Sequence, residues 1–137
     1  MTLSQALFTW DGRLNRLQYL GYSILIGFAS IAAAALLISI GSANQGENVA
    51  IAIILAIPVF VFYVWAAMAV TAKRLHDLGH PTIYLLWIWL INAGSGMFAV
   101  SSPALSDLFG LIGLGVSLYL LFAPGQAGNN AYGAQPA

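Results

Sequence analysis

The side chains best suited to chemistry stand together in one polar segment, Lys73-Arg74-Leu75-His76-Asp77-Leu78-Gly79-His80-Pro81. Histidine and aspartate can bind a metal ion or transfer protons. Two histidines four residues apart share one face of a helix, but Gly79 and Pro81 are expected to end the helix between them. The spacing of His76 and His80 therefore favours helix termination and packing. We predict no catalytic residue, no metal ligand and no cofactor.

Two further polar stretches flank the apolar part of the chain. Residues 8–19 carry Arg13 and Arg16, and leucines recur after Arg13 at helical spacing. This pattern predicts a short interfacial segment with both arginines among lipid phosphates, and with Phe8 dipping into the headgroup zone. Residues 123–133 are rich in glycine and asparagine, which favour tight turns.

The composition of the chain restricts where such segments can lie. Of 137 residues, 61% are apolar and 6% are charged, whereas soluble domains carry about a quarter charged residues. Four basic and four acidic residues give zero net charge, which excludes the basic surface typical of nucleic-acid binders. The absence of cysteine excludes disulfides and cysteine-ligated metals. The expected partners are the lipid bilayer with its anionic headgroups, and a membrane protein or a second copy of the chain.

Four apolar stretches approach the length of about 20 residues that crosses a bilayer as a helix. They are residues 19–40, 49–72, 82–100 and 103–123. The last is long enough only if its helix begins at Pro103, with Ser102 as the N-cap. The first run could also belong to a cleaved signal peptide, but its 22 residues exceed the usual apolar core of about 7–15.

The fold predicted from these stretches is all-α: an integral membrane four-helix transmembrane bundle. Residues 1–18 form a cytoplasmic interfacial segment, 19–123 the membrane domain, and 124–137 a cytoplasmic tail. The basic residues precede the first span or lie between the second and third, so the positive-inside rule places both termini in the cytoplasm. Small residues such as Gly113 are expected to allow close helix packing, and Asn92 to hydrogen-bond between helices.

The order of the polar motifs resembles domain-of-unknown-function family 805, a group of small bacterial inner-membrane proteins. The motifs are Phe-x-x-x-Gly-Arg-x-x-Arg-x-x-Tyr (8–19), Arg-Leu-His-Asp-Leu-Gly (74–79) and Pro-Gly-x-x-Gly-x-Asn-x-Tyr-Gly (124–133). Lys73 and Ala131 stand where the family more often has arginine. The resemblance implies a multi-pass protein of the bacterial inner (plasma) membrane, and it implies no established activity.

An even number of crossings would bring the three motifs to one cytoplasmic surface. We hypothesise that they form a motif cluster that holds an anionic lipid headgroup or docks a partner protein. The cluster consists of Arg13, Arg16, Lys73, Arg74, His76, Asp77, Asn130 and Tyr132.

An accessory or interaction protein is the leading functional hypothesis, because no Asp, Glu, Lys, Arg or His lies at the centre of a span, where proton-coupled carriers usually need one. The alternatives are a small transporter or channel component, and a membrane enzyme using His76 and Asp77.

Overall fold

The computed structural model describes residues 2–43 and 47–136. Its helices are α1 (Leu3–Phe8), α2 (Arg16–Ser42), α3 (Val49–Asp77), α4 (Tyr84–Phe98) and α5 (Pro103–Phe122). No β-strand occurs in these two ranges, although an isolated bridge pairs Asn130 with Gly133. The chain is therefore all-α, and α5 begins at the proline that was expected to start it.

Within the described residues, three helices are long and apolar enough to cross a membrane: α2 with 27 residues, α3 with 29 and α5 with 20. The apolar helix α4 has only 15 residues. At 1.5 Å per residue it is about 22 Å long, less than the roughly 30 Å of a bilayer core.

The prediction of a span over residues 82–100 was therefore too long, because residues 82–83 and 99–101 form turns. The backbone N–H groups of Tyr84 and Leu85 donate to carbonyls three residues back. Together the helices are those of a multi-pass membrane protein.

A glycine cap ends α3. Gly79 has a φ of +78°, a conformation that side-chain-bearing residues rarely adopt. The N–H of His80 donates to the carbonyl of Leu75, and that of Gly79 donates to the carbonyl of His76. These two bonds are the Schellman motif that closes many helices. The helix therefore stops between His76 and His80, and the two rings do not share a helix face.

The chain divides into two compact units, the first formed by residues 1–9 and 21–70 and the second by residues 10–20 and 71–137. In the first unit, α1 starts with a capping box between Thr2 and Gln5. It buries Ala6 and Leu7. The ring centroid of Phe8 lies 5.6 Å from that of Phe62, so this ring, expected among lipid headgroups, packs against α3.

In the second unit, α4 and α5 pack through small residues. Gly94 is buried, and a Cβ atom added to it would lie 2.9 Å from the ring of Phe109. That ring stacks on Phe98, with 5.8 Å between the centroids. The amide nitrogen of Asn92 donates to the carbonyl of Ile88, 2.7 Å away in its own helix. The interhelical bond expected of this amide nitrogen is replaced by one within α4.

We expect Gly94→Ala to destabilise the protein by about 1–3 kcal/mol, because overpacking forces the neighbouring ring or backbone to move. The measurement is thermal unfolding in a fixed detergent. Gly96→Ala is the matched control two residues away, since nothing lies within 4 Å of a Cβ added there. Equal unfolding temperatures for the two variants would contradict the packing of Gly94 against Phe109.

Candidate functional site

A buried carboxylate at the end of α3 holds two arginines. Asp77 Oδ1 accepts hydrogen bonds from Arg13 Nε at 3.1 Å and Arg13 Nη2 at 2.9 Å. Asp77 Oδ2 accepts from Arg74 Nη1 at 2.6 Å. No side chain of the three is more than 4% exposed. Arg13, Asp77 and Arg74 are termed the buried triad.

The triad contains one more positive than negative charge, and backbone carbonyls satisfy its remaining donors. Gln126, Gly128 and Gly133 accept hydrogen bonds from Arg13, and Leu14, Leu120 and Ala123 accept from Arg74. A buried charge is very costly unless it is paired and hydrogen-bonded. The polar segment after α5 is therefore bound to the two guanidinium groups, and its departure would remove four of their six carbonyl partners.

The last carbonyls of α3 are satisfied by the same two polar stretches. The N–H of Leu14 donates to the carbonyl of Lys73 at 3.2 Å, and that of Gln126 donates to the carbonyl of Asp77 at 2.8 Å. The side-chain amide of Asn130 donates to the carbonyl of His76 at 2.9 Å. Since the final carbonyls of a helix lack partners within it, these bonds place both stretches around one helix end.

His76 has hydrogen-bond partners for both ring nitrogens. Its Nδ1 lies 3.2 Å from the carbonyl oxygen of Gly12, and its Nε2 lies 2.8 Å from the hydroxyl oxygen of Thr82. A carbonyl only accepts, so Nδ1 donates, and in the neutral ring Nε2 accepts from Thr82. The ring stacks on Tyr132, with centroids 4.0 Å apart and an interplanar angle of 1°. These contacts give His76 a structural role.

The backbone at Gly125 lies against the side chain of Asp77, a contact that the sequence did not predict. A Cβ atom at this position would overlap the carboxylate of Asp77. The glycines after α5 were interpreted as turn residues, and only the Pro124-Gly125 pair directly after the helix could have suggested a backbone pressed against another segment. Glycine is needed here because the backbone itself lies against the triad.

The structure brings most of the predicted cluster together. The contacts above join Arg13, Arg74, Asp77, His76, Asn130 and Tyr132. Lys73 is fully buried and Arg16 is exposed.

Two expectations about these residues were wrong. Arg13, expected among lipid phosphates, is 3% exposed and binds protein groups. The spacing of Arg74 and Asp77, three residues apart on one helix face, predicts an exposed ion pair; the pair forms, but it is buried. Long-range partners, which local spacing does not encode, explain both differences.

Arg16 occupies a different position and lines two cavities of the second unit. A polar cavity of about 230 Å³ is lined in part by Arg74, Asp77 and Gln126. An apolar groove of about 430 Å³ is lined by Leu17, Leu20, Leu121 and Phe122. Across residues 2–43 and 47–136, the Arg16 side chain has no hydrogen-bond or ion-pair partner. This arrangement places an available cation between a polar and an apolar space.

The described residues contain no group of three His, Cys, Asp or Glu side chains that could hold a metal ion. A metal site therefore receives no support from these parts of the chain. The ionisable groups of the buried triad bind one another, whereas Arg16 beside them is exposed.

We expect Asp77→Asn to destabilise the protein by about 3–5 kcal/mol, because removal of one charge from a buried network leaves the others uncompensated. Thermal unfolding measures this loss, and limited proteolysis should cut the variant faster within residues 124–133. The control is Asp107→Asn, at an exposed position of α5. An Asp77→Asn protein as stable and as protease-resistant as this control would contradict the role assigned to the triad.

In comparison with known proteins, a family model matches most of the chain. No curated protein and no solved structure matches the chain. The model of the family described as "Protein of unknown function (DUF805)" matches residues 7–134. This match includes Arg13, the α3 end and the segment that binds it, so the chain belongs to the DUF805 family.

Proposed function

We propose that the protein is an accessory protein of the bacterial inner membrane that binds an anionic phospholipid of the cytoplasmic leaflet at Arg16. The observation that carries this proposal is the position of Arg16, an exposed cation between a polar cavity and an apolar groove. A phospholipid has the same sequence of parts, with an anionic phosphate between a polar headgroup and apolar chains.

The residues around Arg16 match these parts in turn. Leu17 and Leu20 follow Arg16 in the first turns of α2, and Leu121 and Phe122 form the end of α5. Together these four side chains offer an acyl chain an apolar surface at the beginning of α2 and the end of α5. The guanidinium group can donate two parallel hydrogen bonds to phosphate oxygens. Attraction of one basic residue to an anionic membrane surface contributes about 1 kcal/mol.

The path of the chain supports the proposed orientation. The beginning of α2, the ends of α3 and α5, and the beginning of α4 all belong to the second compact unit. Arg13 from the first polar stretch binds carbonyls after α5. We take α4 as the fourth crossing, since a bilayer can thin around a helix shorter than its apolar core. An even number of crossings then fits this arrangement, and the positive-inside rule favours the cytoplasm for the shared end.

A membrane enzyme using His76 and Asp77 has less support. The Asp77 carboxylate is bound by two arginines, and both nitrogens of His76 have hydrogen-bond partners. A general base must be free to reach the proton that it removes. The side chains once considered for proton transfer are therefore better explained as parts of the fold.

The orientation can be tested with a reporter fused after residue 137. We expect green fluorescent protein at this position to fluoresce in cells, and alkaline phosphatase at the same position to stay inactive, because the proposal places the fusion in the cytoplasm. Fusions after residue 43 serve as the opposite control. Active alkaline phosphatase after residue 137, together with no fluorescence from the green fluorescent protein fusion at the same position, would overturn the cytoplasmic placement of this end.

The lipid site can be tested with Arg16→Gln and the charge-preserving Arg16→Lys. In native mass spectrometry, we expect phosphatidylglycerol to bind the wild-type protein more tightly than phosphatidylcholine. The glutamine variant should lose about fivefold in affinity for phosphatidylglycerol, equivalent to about 1 kcal/mol. The lysine variant should retain most of the affinity. Indistinguishable binding by the wild type and Arg16→Gln would remove the basis of the proposal.

A further inference from the structure

The second compact unit contains another groove, beside α4 and α5, whose chemistry differs from that at Arg16. It has a volume of about 310 Å³. Its walls include His80, Tyr84, Trp87, Ile91 and Tyr119, and none of its lining residues is Asp, Glu, Lys or Arg. This volume lies at the lower end of the range of about 300–1,000 Å³ found for small-molecule sites. The groove is therefore suited to a small, uncharged group.

One pair of polar side chains borders this apolar space. The Nε2 atom of His80 and the hydroxyl oxygen of Tyr119 are 2.9 Å apart. In one neutral tautomer, Tyr119 donates to Nε2, and Nδ1–H is the remaining donor. In the other tautomer, Nε2–H donates to Tyr119, and the phenol hydrogen is the remaining donor. Either form has one donor left for a ligand and keeps acceptor capacity.

Aromatic rings surround this pair. The ring centroid of His80 lies 5.2 Å from that of Tyr84 and 6.1 Å from that of Tyr119. Trp87, one turn further along α4, lines the groove and is 60% exposed. Aromatic faces bind flat rings through offset or edge-to-face contacts. The groove thus combines ring surfaces with a neutral donor and acceptor.

We propose that this groove binds the ring of a lipid-soluble quinone or its quinol. The carbonyl oxygen of a quinone accepts a hydrogen bond from the His80–Tyr119 pair, and the hydroxyl of a quinol donates one to it. Tyr84 and Trp87 contact the ring, and the apolar tail follows α4 past Ile91. A phospholipid fits less well, because an anionic phosphate would find no Lys or Arg among the lining residues.

The proposal concerns binding alone and is independent of the lipid site at Arg16. Arg16 lines the other two cavities and is not part of this groove. A protein that loses phospholipid affinity through Arg16→Gln is therefore expected to bind quinone as the wild type does.

The test measures binding of decylubiquinone to the purified full-length protein by native mass spectrometry in one detergent. Tyr119→Phe removes only a hydroxyl, and we expect it to lower the affinity about fivefold, as for the loss of one neutral hydrogen bond. Trp87→Leu keeps an apolar side chain and removes a ring, so it should also weaken binding. The matched control is Tyr63→Phe, which lines a groove of the first unit and should leave quinone binding unchanged.

A second ligand separates ring recognition from adsorption of an alkyl chain. Decylbenzene has a ring and the same chain length but no oxygen atoms, and we expect it to bind at least fivefold more weakly than decylubiquinone. Thermal unfolding of Tyr119→Phe verifies that the variant is folded. Equal affinities of the wild type and Tyr119→Phe for the quinone, or equal affinities of the wild type for the two ligands, would overturn the proposal.

Discussion

The carboxylate of Asp77 joins two guanidinium groups from separate parts of the sequence, and the polar structure at the end of α3 depends on this interaction. Arg13 comes from the stretch before α2, whereas Arg74 belongs to the last turn of α3. One carboxylate cannot neutralise two cations, so the arginines also bind backbone carbonyls around α5 and beyond it. The need to satisfy a buried charge thus becomes a constraint on the path of the backbone.

The lipid bilayer imposes a second constraint, which concerns how the apolar helices pack. In a bilayer, helices gain little from the hydrophobic effect when they associate, and close packing of small residues becomes important. Gly94 against Phe109 is such a contact between α4 and α5. At the end of α3, by contrast, ion pairs and hydrogen bonds hold the chain in place. The second unit therefore combines tight apolar packing with a densely bonded polar network.

Local rules predicted much of this structure, and long-range contacts account for most of the differences. The cap at Gly79 and the start of α5 at Pro103 follow from preferences of single residues at helix ends. The burial of Arg13 could not be predicted in this way, because its partners lie 64 residues or more along the chain. The shortening of α4 was also missed, since an apolar composition does not show where turns replace helix.

The distance along the chain between Arg74 and its carbonyl partners has a consequence for biosynthesis. The carbonyl groups of Leu120 and Ala123 follow Arg74 by 46 and 49 residues. When α3 emerges from the ribosome, these acceptors have not yet been translated, and the guanidinium group is still hydrated. Under the proposed orientation, it can at that stage act as the positive charge that retains a loop on the cytoplasmic side. The same side chain would thus first direct insertion and afterwards, once α5 has followed, become part of the interior.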